Sequence, residues 1–269
     1  MTPKTLAQGA EAIITLVAPP AKTKTPRQLI SERSESNSGA VVGDAADCEP
    51  FIIKDRIPKS YRLKELDTKI RSRRTRSEAK LLEKASKIIN SPAPLLQPLI
   101  KGSTKIKMPF IDGQRLSEHL DSFPLAKQKQ ICKQIGESVA KLHNENIIHG
   151  DLTTSNMILV KNPAHSRSQI NKTNNRESSQ LIESPRSTST KSGAEQSIFL
   201  IDFGLGYISA KHEDKAVDLH LLRQALEAKH FEHWEELFKD ILETYKKTKD
   251  SKIILERLKA VEKRGRYRH

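Results

Sequence analysis

The stretch His149-Gly-Asp-Leu-Thr-Thr-Ser-Asn156, followed after a long polar segment by Asp202-Phe-Gly204, decides the fold. Phosphoryl transfer needs charge cancellation on the phosphates, positioned metal ions and a group that takes the acceptor's proton. Asp151 is the candidate for orienting or deprotonating the acceptor. Asn156 follows it by five residues, which is the spacing of a kinase catalytic loop. We therefore expect Asp151 and Asn156 to be catalytic.

Magnesium prefers oxygen ligands, and the two motifs supply them. Asp202 comes directly after the apolar run 198–201, so it is predicted to hold the ion that bridges the phosphates. Asn156 is predicted to give an oxygen to a second ion. A lone His-x-Asp is most often a turn cap, but two motifs in this order, each beside a strand, favour a functional site. The cofactors expected from this pattern are ATP and Mg²⁺.

Upstream residues complete the predicted nucleotide site. Lys54 ends a strand and Glu78 lies in the helix that follows, so we expect an ion pair that holds Lys54 on the phosphates. The alternative is that both are surface charges in a charge-rich segment. The adenine is expected to bind the backbone of a hinge formed by Met108, Pro109, Phe110 and Ile111. The phosphate loop is expected at Gln8, Gly9, Ala10 and Glu11, although it lacks the usual run of three glycines.

The coarse pattern is a few strands followed by many helices. Apolar and β-branched runs predict strands at 13–17, 51–54, 100–110, 157–160 and 198–201. Helical periodicity predicts helices at 63–87, 117–120, 127–146, 218–229, 233–248 and 251–263. The fold class is therefore α+β, a two-lobed protein-kinase-like fold with a small β-rich N-lobe over a reduced helical C-lobe.

The domain organisation follows from these elements and from composition. We expect one domain over 1–269, with the N-lobe at about 1–110 and the C-lobe at about 111–269. Residues 19–49 are rich in Pro, Ser, Thr and charge and are predicted to be a flexible excursion between two strands. Residues 161–197 are rich in Ser, Thr and Asn and too poor in apolar residues to form a core, so a disordered insertion is predicted.

The bulk composition narrows the partners and the compartment. The 269 residues carry a formal net charge of +14, which favours a polyanion such as nucleic acid, or an acidic protein face, over a merely soluble basic surface. The two cysteines have no metal-ligand spacing and suggest no disulfide framework. Cys132 falls in an apolar helical pattern and is expected to be buried. No apolar run is long enough for a membrane span and no signal peptide is evident, so a cytoplasmic and nuclear protein is expected.

Two departures from ordinary protein kinases bear on control. Gly150 stands where the catalytic loop usually has arginine, and sixteen positions separate Asp202 from Asp218 with no Ala-Pro-Glu. We therefore expect a short activation segment with no peptide-docking platform. Asp218 opens the predicted helix 218–229, where two compatible roles are open to it, an N-cap and a brace that accepts hydrogen bonds from the catalytic loop.

The chain resembles the small atypical Ser/Thr kinase and ATPase subunit of the KEOPS/EKC complex. The resemblance rests on Gln8-Gly-Ala-Glu-Ala12, Pro58-Lys-Ser-Tyr-Arg62, the two motifs above, Glu213-Asp-Lys-Ala-Val-Asp-Leu219 and Arg264-Gly-Arg266. It covers nearly the whole chain except 19–49 and 161–197.

The resemblance implies a magnesium-dependent ATPase and non-specific Ser/Thr kinase that supports threonylcarbamoyladenosine modification of tRNA. The implied partners are the threonylcarbamoyl-transferase subunit, a small subunit on the N-lobe, and tRNA. The basic tail is implied to reach the transferase subunit and tRNA, and Lys263, Arg264, Arg266 and Arg268 match that tail in type.

Two other functions remain open from the residues. One is a small-molecule phosphotransferase of the aminoglycoside type, which also has a His-Gly-Asp loop but needs a larger helical acceptor site. The other is a non-catalytic tRNA-binding scaffold, in which the basic side chains of 54–76 and 257–268 contact phosphates. A scaffold has no need of Lys54, Asp151, Asn156 and Asp202 together.

Overall fold

A computed structural model of the chain describes residues 3–9, 11–18, 50–95, 102–161 and 196–265. The predictions for 19–49, for Ala10 and for almost all of 161–197 concern residues outside these ranges, as do those for Arg266 and Arg268.

The N-terminal part is an antiparallel sheet with one long helix. Its elements are β1 (Lys4–Gln8), β2 (Ala12–Val17), β3 (Phe51–Arg56), α1 (Lys64–Ser86) and β4 (Lys105–Pro109). The strand order is β1-β2-β3-β4, and Lys54 on β3 faces Ile14 and Ile106 on its neighbours. α1 begins with Glu65 and Asp67 in its first turn, where carboxylates favour the helix dipole. Its inner face buries Glu78 among apolar residues such as Leu82.

The C-terminal part is helical with small strand pairs. Its elements are β5 (Gln114–Arg115), α2 (Leu116–His119), a 3₁₀ turn (Leu120–Ser122), α3 (Leu125–Asn144), β6 (Ile147–Ile148), a second 3₁₀ turn (Thr154–Asn156), β7 (Met157–Lys161), β8 (Gln196–Leu200), β9 (Tyr207–Ile208), α4 (His212–Lys229), α5 (Trp234–Tyr245) and α6 (Ser251–Gly265). The β7–β8 pair runs in register from Met157 opposite Leu200 to Lys161 opposite Gln196, with β5 at its edge. β6 pairs with β9. Among the helices in the described ranges, none is both long enough and apolar enough to cross a membrane.

The strands and helices predicted from sequence are present, but the structure adds strands β1, β5, β6 and β9 and places the starts of β4 and α4 differently. β1 was not predicted, because its five residues are all exposed and carry no alternating apolar pattern. α4 begins at His212 rather than at 218, because its first turn is polar and gives no apolar periodicity. Asp218 therefore lies inside α4, and its interpretation as an N-cap is wrong.

The core of the C-terminal part is built on α3. Its apolar stripe of Ile131, Ile135, Val139 and Leu142 is at most 1% exposed, as the spacing predicted. Cys132 is fully buried beside this stripe, and burial raises the pKa of its thiol to about 12. α3 packs closely against α5 at Gly136, where an added Cβ would overlap Thr244 Oγ1 and the carbonyl oxygen of Ile241.

Replacing Gly136 with alanine should destabilise the protein by about 1–3 kcal/mol, because the overlap forces α3 and α5 apart. Alanine is otherwise the better helix former by about 1 kcal/mol, so the sign of the change separates the two effects. Urea denaturation measures it, with Ser138→Ala on the same helix as the control. A more stable Gly136→Ala protein would contradict the close contact.

Candidate active site

Charged side chains from three separate elements meet at Lys54. Lys54 Nζ donates to Glu78 Oε1 at 2.7 Å and to Asp202 Oδ1 at 2.6 Å. Lys54 and Glu78 are almost fully buried, whereas the Asp202 side chain is 39% exposed. The ion pair predicted between Lys54 and Glu78 is confirmed as a contact. Asp202 joins it, so one ammonium group bridges the helix and the loop after β8.

Asp202 is held in a strained backbone conformation. Its φ is 62°, a left-handed value that non-glycine residues seldom adopt and that often marks a functional position. The N–H of Gly204 donates to Asp202 Oδ1 at 3.1 Å. Burial acts to raise the pKa of Asp202, but the Lys54 ammonium and the Gly204 N–H hold that pKa below its usual value. Asp202 is therefore an ionised carboxylate at neutral pH.

Asp151 and Asn156 lie against each other. Asn156 Nδ2 donates to the backbone oxygen and to Oδ2 of Asp151, each at 2.9 Å. The amide nitrogen thus faces Asp151, and the amide oxygen is directed away from it. The carbonyl oxygen of Asn156 accepts from the N–H of Ile201 at 3.0 Å, which ties the catalytic loop to the residue before Asp202. The structure thereby joins the two sequence motifs.

The donor set fits magnesium bound partly through a nucleotide. In the parts of the chain that the structure describes, no group of three or more His, Cys, Asp or Glu residues has metal-binding geometry. Mg²⁺ is usually bound through one or two protein carboxylates and completes its shell with phosphate and water oxygens. The half-exposed Asp202 carboxylate and the Asn156 amide oxygen match that requirement in kind.

Asp218 braces the catalytic loop. Its Oδ2 accepts from the N–H of His149 at 2.8 Å, and its Oδ1 accepts from the N–H of Gly150 at 2.9 Å. His143 Nε2 lies 3.2 Å from Asp218 Oδ2, and His143 Nδ1 lies 2.7 Å from the Tyr245 hydroxyl. One neutral tautomer satisfies both contacts, with Nε2–H donating to Asp218 and Nδ1 accepting from Tyr245. The brace predicted from sequence is confirmed.

Asparagine at Asp218 should lower the free energy of unfolding by about 2–4 kcal/mol at pH 7, because an amide nitrogen cannot accept from backbone N–H groups. Burial acts to raise the pKa of Asp218, but His143 and the His149 N–H hold the pKa below its usual value. A lowered pKa stabilises the fold above about pH 4, and this contribution is lost as pH falls through the folded pKa. Urea denaturation at pH 7 and pH 3.5 should show a gap between the two proteins that narrows in acid. A gap independent of pH would contradict the ionised brace.

The conformation at Gly150 accounts for the absence of the arginine that kinase catalytic loops usually have at this position. Its φ is 76°, and an added Cβ would overlap the backbone of Leu205. A side chain at this position is therefore excluded by conformation and by space. After Gly204 the chain passes through β9 and enters α4 at His212, so the predicted short activation segment is confirmed.

The predicted hinge lies at the end of β4. Met108 is buried, and the N–H of Phe110 donates to the Pro50 carbonyl at 3.1 Å. Pro109 has no N–H and that of Phe110 is engaged, so Ile111 is the hinge residue whose N–H is the candidate for adenine.

The predicted phosphate loop joins β1 and β2. The N–H of Gly9 donates to the carbonyl of Ala12 at 3.0 Å, while Gln8 ends β1. The Glu11 carboxylate contacts Arg74 Nη1 at 3.0 Å and is 57% exposed. Its backbone oxygen accepts from the N–H of Ile57 at 3.0 Å. The loop is thus fixed to the end of β3.

Several site residues escaped the sequence reasoning. Arg56 is 5% exposed, and its Nη2 donates to Glu78 Oε2 at 2.6 Å. The signal for it was present, because Arg56 is two positions from Lys54 on one strand and therefore shares its face. His143 continues the apolar stripe of α3, which placed it in the core.

His230 forms a second brace that no local signal revealed. Its Nδ1 lies 2.8 Å from Asp121 Oδ1, and its Nε2 lies 3.2 Å from the hydroxyl of Thr154 in the catalytic loop. Thr154 is 1% exposed, so this Asp–His–Thr arrangement holds the loop and does not present a nucleophile to solvent.

Comparison with known proteins finds relatives that include a KEOPS subunit and bifunctional tRNA-modification proteins. The KEOPS complex subunit Bud32 of Pyrococcus abyssi is 33% identical over 220 residues, which cover 81% of this chain and 84% of that protein. Probable bifunctional tRNA threonylcarbamoyladenosine biosynthesis proteins of Methanococcus vannielii and Methanocaldococcus jannaschii are 33% and 34% identical over 91% of this chain. The chain spans only 37% and 38% of those two proteins.

No protein-family model matches the chain. The solved structure of WaaP in complex with acyl carrier protein aligns with 98% of this chain and 89% of that chain, with a TM-score of 0.48 and 11% identity.

Proposed function

The chain belongs to the family of the KEOPS complex subunit Bud32, and from that premise we propose that it is an ATP-dependent phosphotransferase and ATPase supporting threonylcarbamoyladenosine formation on tRNA. The observation that carries the proposal is the meeting of Lys54, Glu78 and Asp202, together with the Asp151–Asn156 pair that is tied to the residue before Asp202. A Lys–Glu pair beside a metal-binding aspartate is the arrangement that positions the phosphates of ATP in kinases.

Each residue has a role in the proposed reaction. Lys54, held by Glu78, contacts phosphate oxygens of ATP and offsets their charge. Asp151 orients the hydroxyl of the acceptor or of water and receives its proton. The oxygen attacks the γ-phosphorus, the bond from that phosphorus to the β–γ bridging oxygen breaks, and ADP leaves with the electron pair.

Asp202 and Asn156 are the residues that would hold Mg²⁺. The bound ion would supply electrostatic neutralisation of the phosphate oxygens. Lys54 occupies Asp202 Oδ1 in this structure, so we propose that ATP draws the ammonium toward its phosphates and frees this oxygen. Ile111 is proposed to contact adenine through its backbone N–H.

We propose tRNA as the polyanionic partner, because one face of the protein has the matching charge. A groove along the exposed side of α1 is lined by Lys64, Lys69, Arg73, Arg76 and Lys80, with Glu65 as its acidic residue. Basic side chains grouped in this way contact nucleic-acid phosphates. The expected partners are the other KEOPS subunits, including the transferase subunit and a small subunit on the N-lobe. We further propose that the γ-phosphate is transferred to a Ser or Thr hydroxyl of an acceptor protein.

The test is reconstitution of tRNA threonylcarbamoylation by KEOPS subunits from which the Bud32 component has been omitted. Adding this chain should restore the modification and magnesium-dependent ATP hydrolysis, and the Asp202→Ala protein should restore neither. No restoration by the wild type would overturn the proposed assembly role. Equal restoration by both proteins would favour the non-catalytic scaffold.

A further inference from the structure

An alternating chain of charges leads away from the nucleotide site. Asp202 contacts Lys54 at 2.6 Å, Lys54 contacts Glu78 at 2.7 Å, and Glu78 contacts Arg56 at 2.6 Å. Arg56 Nη1 then lies 3.8 Å from Glu11 Oε2, which contacts Arg74 Nη1 at 3.0 Å. We name these six residues the relay. Three are acidic and three are basic, so their formal charges cancel.

The relay links the phosphate loop to β3 and α1 through side chains, whereas the Lys54–Glu78 pair alone links only β3 and α1. Asp202 belongs to the loop after β8, Lys54 and Arg56 to β3, Glu78 and Arg74 to α1, and Glu11 to the phosphate loop. The backbone of Glu11 is already fixed to the end of β3 through Ile57, the residue after that strand. Its carboxylate adds a connection to α1, four residues before Glu78 in that helix.

Arg56 is the centre of the relay. It is 5% exposed, and a Cβ added at Gly204 would lie 3.1 Å from its Nη2, so the guanidinium lies next to the loop that carries Asp202. One guanidinium reaches two carboxylates because its nitrogens point in different directions, which a lysine ammonium does not reproduce. Arg56 also keeps Glu78 paired when Lys54 moves toward the phosphates, since an unpaired buried carboxylate is strongly destabilising.

Glu11 has an unusual charge for a phosphate loop. A free carboxylate beside the triphosphate would repel it, and the flexible glycines that usually fill this loop are reduced to Gly9. In the relay Arg56 and Arg74 neutralise the carboxylate and hold it on the α1 side. The charge therefore anchors the loop.

We propose that Arg56 and Glu11 are positioning residues that couple the phosphate loop to α1, so that the loop is placed over the nucleotide only when α1 holds Glu78 on Lys54. This inference rests on the proposed function for its effect on ATP. A movement of α1 would therefore also move the phosphate loop.

The first test reads the connection without nucleotide. Hydrogen exchange of the β1–β2 hairpin should become about two- to fivefold faster in Glu11→Gln and in Arg74→Gln, which is the range for a partly exposed ion pair. The double variant should be no faster than either single one. Glu83→Gln, which removes the exposed pair between Glu83 and Lys87 on the same helix, is the matched control and should leave the hairpin unchanged.

The second test reads the effect on the site. In the reconstituted assembly, Glu11→Gln and Arg74→Gln should raise KM for ATP about threefold with a smaller change in kcat, without lowering the melting temperature. Arg56→Lys should raise KM similarly, since it keeps a charge on Glu78 and releases Glu11. A lower KM in Glu11→Gln would mean that the carboxylate repels ATP, and would overturn the proposal.

The two tests separate the inference from its premise. If hydrogen exchange of the hairpin is unchanged in both single variants, the relay is overturned, whatever the KM for ATP. Faster exchange with an unchanged KM overturns its coupling to the site. If the variants exchange faster but the wild-type protein shows no ATP turnover, the proposed function is overturned. The connection between the phosphate loop and α1 is then still supported.

Discussion

Replacing Asp151 with asparagine is expected to lower kcat for ATP turnover by about 10²- to 10⁴-fold, the range for loss of a positioned general base. The amide has nearly the same shape as the carboxylate but cannot accept the proton of the attacking hydroxyl. Asn156 Nδ2 now contacts both the backbone oxygen and Oδ2 of Asp151, so the backbone contact persists and the loop is retained. KM for ATP should change little, because the role proposed for Asp151 is toward the acceptor and not toward the nucleotide.

The measurement is steady-state phosphate release by the assembled complex. Asp250→Asn is the matched control, because Asp250 has a φ of 58°, which asparagine tolerates, and lies in a surface turn. It should leave kcat unchanged. If Asp151→Asn retained wild-type kcat, Asp151 would have no part in the chemistry.

Replacing Lys54 with methionine is expected to reduce kcat/KM for ATP by about a hundredfold or more, the scale on which a charge that stabilises the transition state acts. Methionine keeps the length of the side chain and removes its charge. Glu78 stays paired with Arg56, so we expect the protein to remain folded. A loss of activity in a protein that stays folded would separate a catalytic role of Lys54 from a purely stabilising one.

Turnover and the melting temperature should be measured on the same samples. Lys105→Met, on β4 of the same sheet and with a 62% exposed side chain, is the control and should match the wild type in both. An unchanged kcat/KM in Lys54→Met would show that the buried lysine is structural only.

The sequence was most informative where chemistry is local. Lys54, Glu78, Asp151, Asn156 and Asp202 were each predicted from a motif or from their place in one element, and the structure brings Lys54, Glu78 and Asp202 into contact and pairs Asp151 with Asn156. Arg56 was also within reach, because the two-residue period of a strand puts it on the face of Lys54. Its role was missed because it stood among many basic residues.

The contacts that brace the catalytic loop were not predictable in the same way. His143 and Tyr245 are 102 residues apart in the chain, and His230 and Thr154 are 76 apart. Such pairs are set by how α3, α4 and α5 pack, and no local pattern encodes them. Asp218 was predicted as an N-cap or a brace at the start of a helix, but the polar first turn of α4 concealed where that helix begins.

The most direct test of the account is calorimetric titration of the protein with ATP, with and without magnesium, using wild type and Asp202→Ala. Wild type is predicted to bind ATP at least about tenfold more tightly with magnesium, a difference of about 1.4 kcal/mol. Asp202→Ala should lose that difference. Equal Kd values for the two proteins, with magnesium present or absent, would contradict a metal-assisted nucleotide site at Lys54 and Asp202.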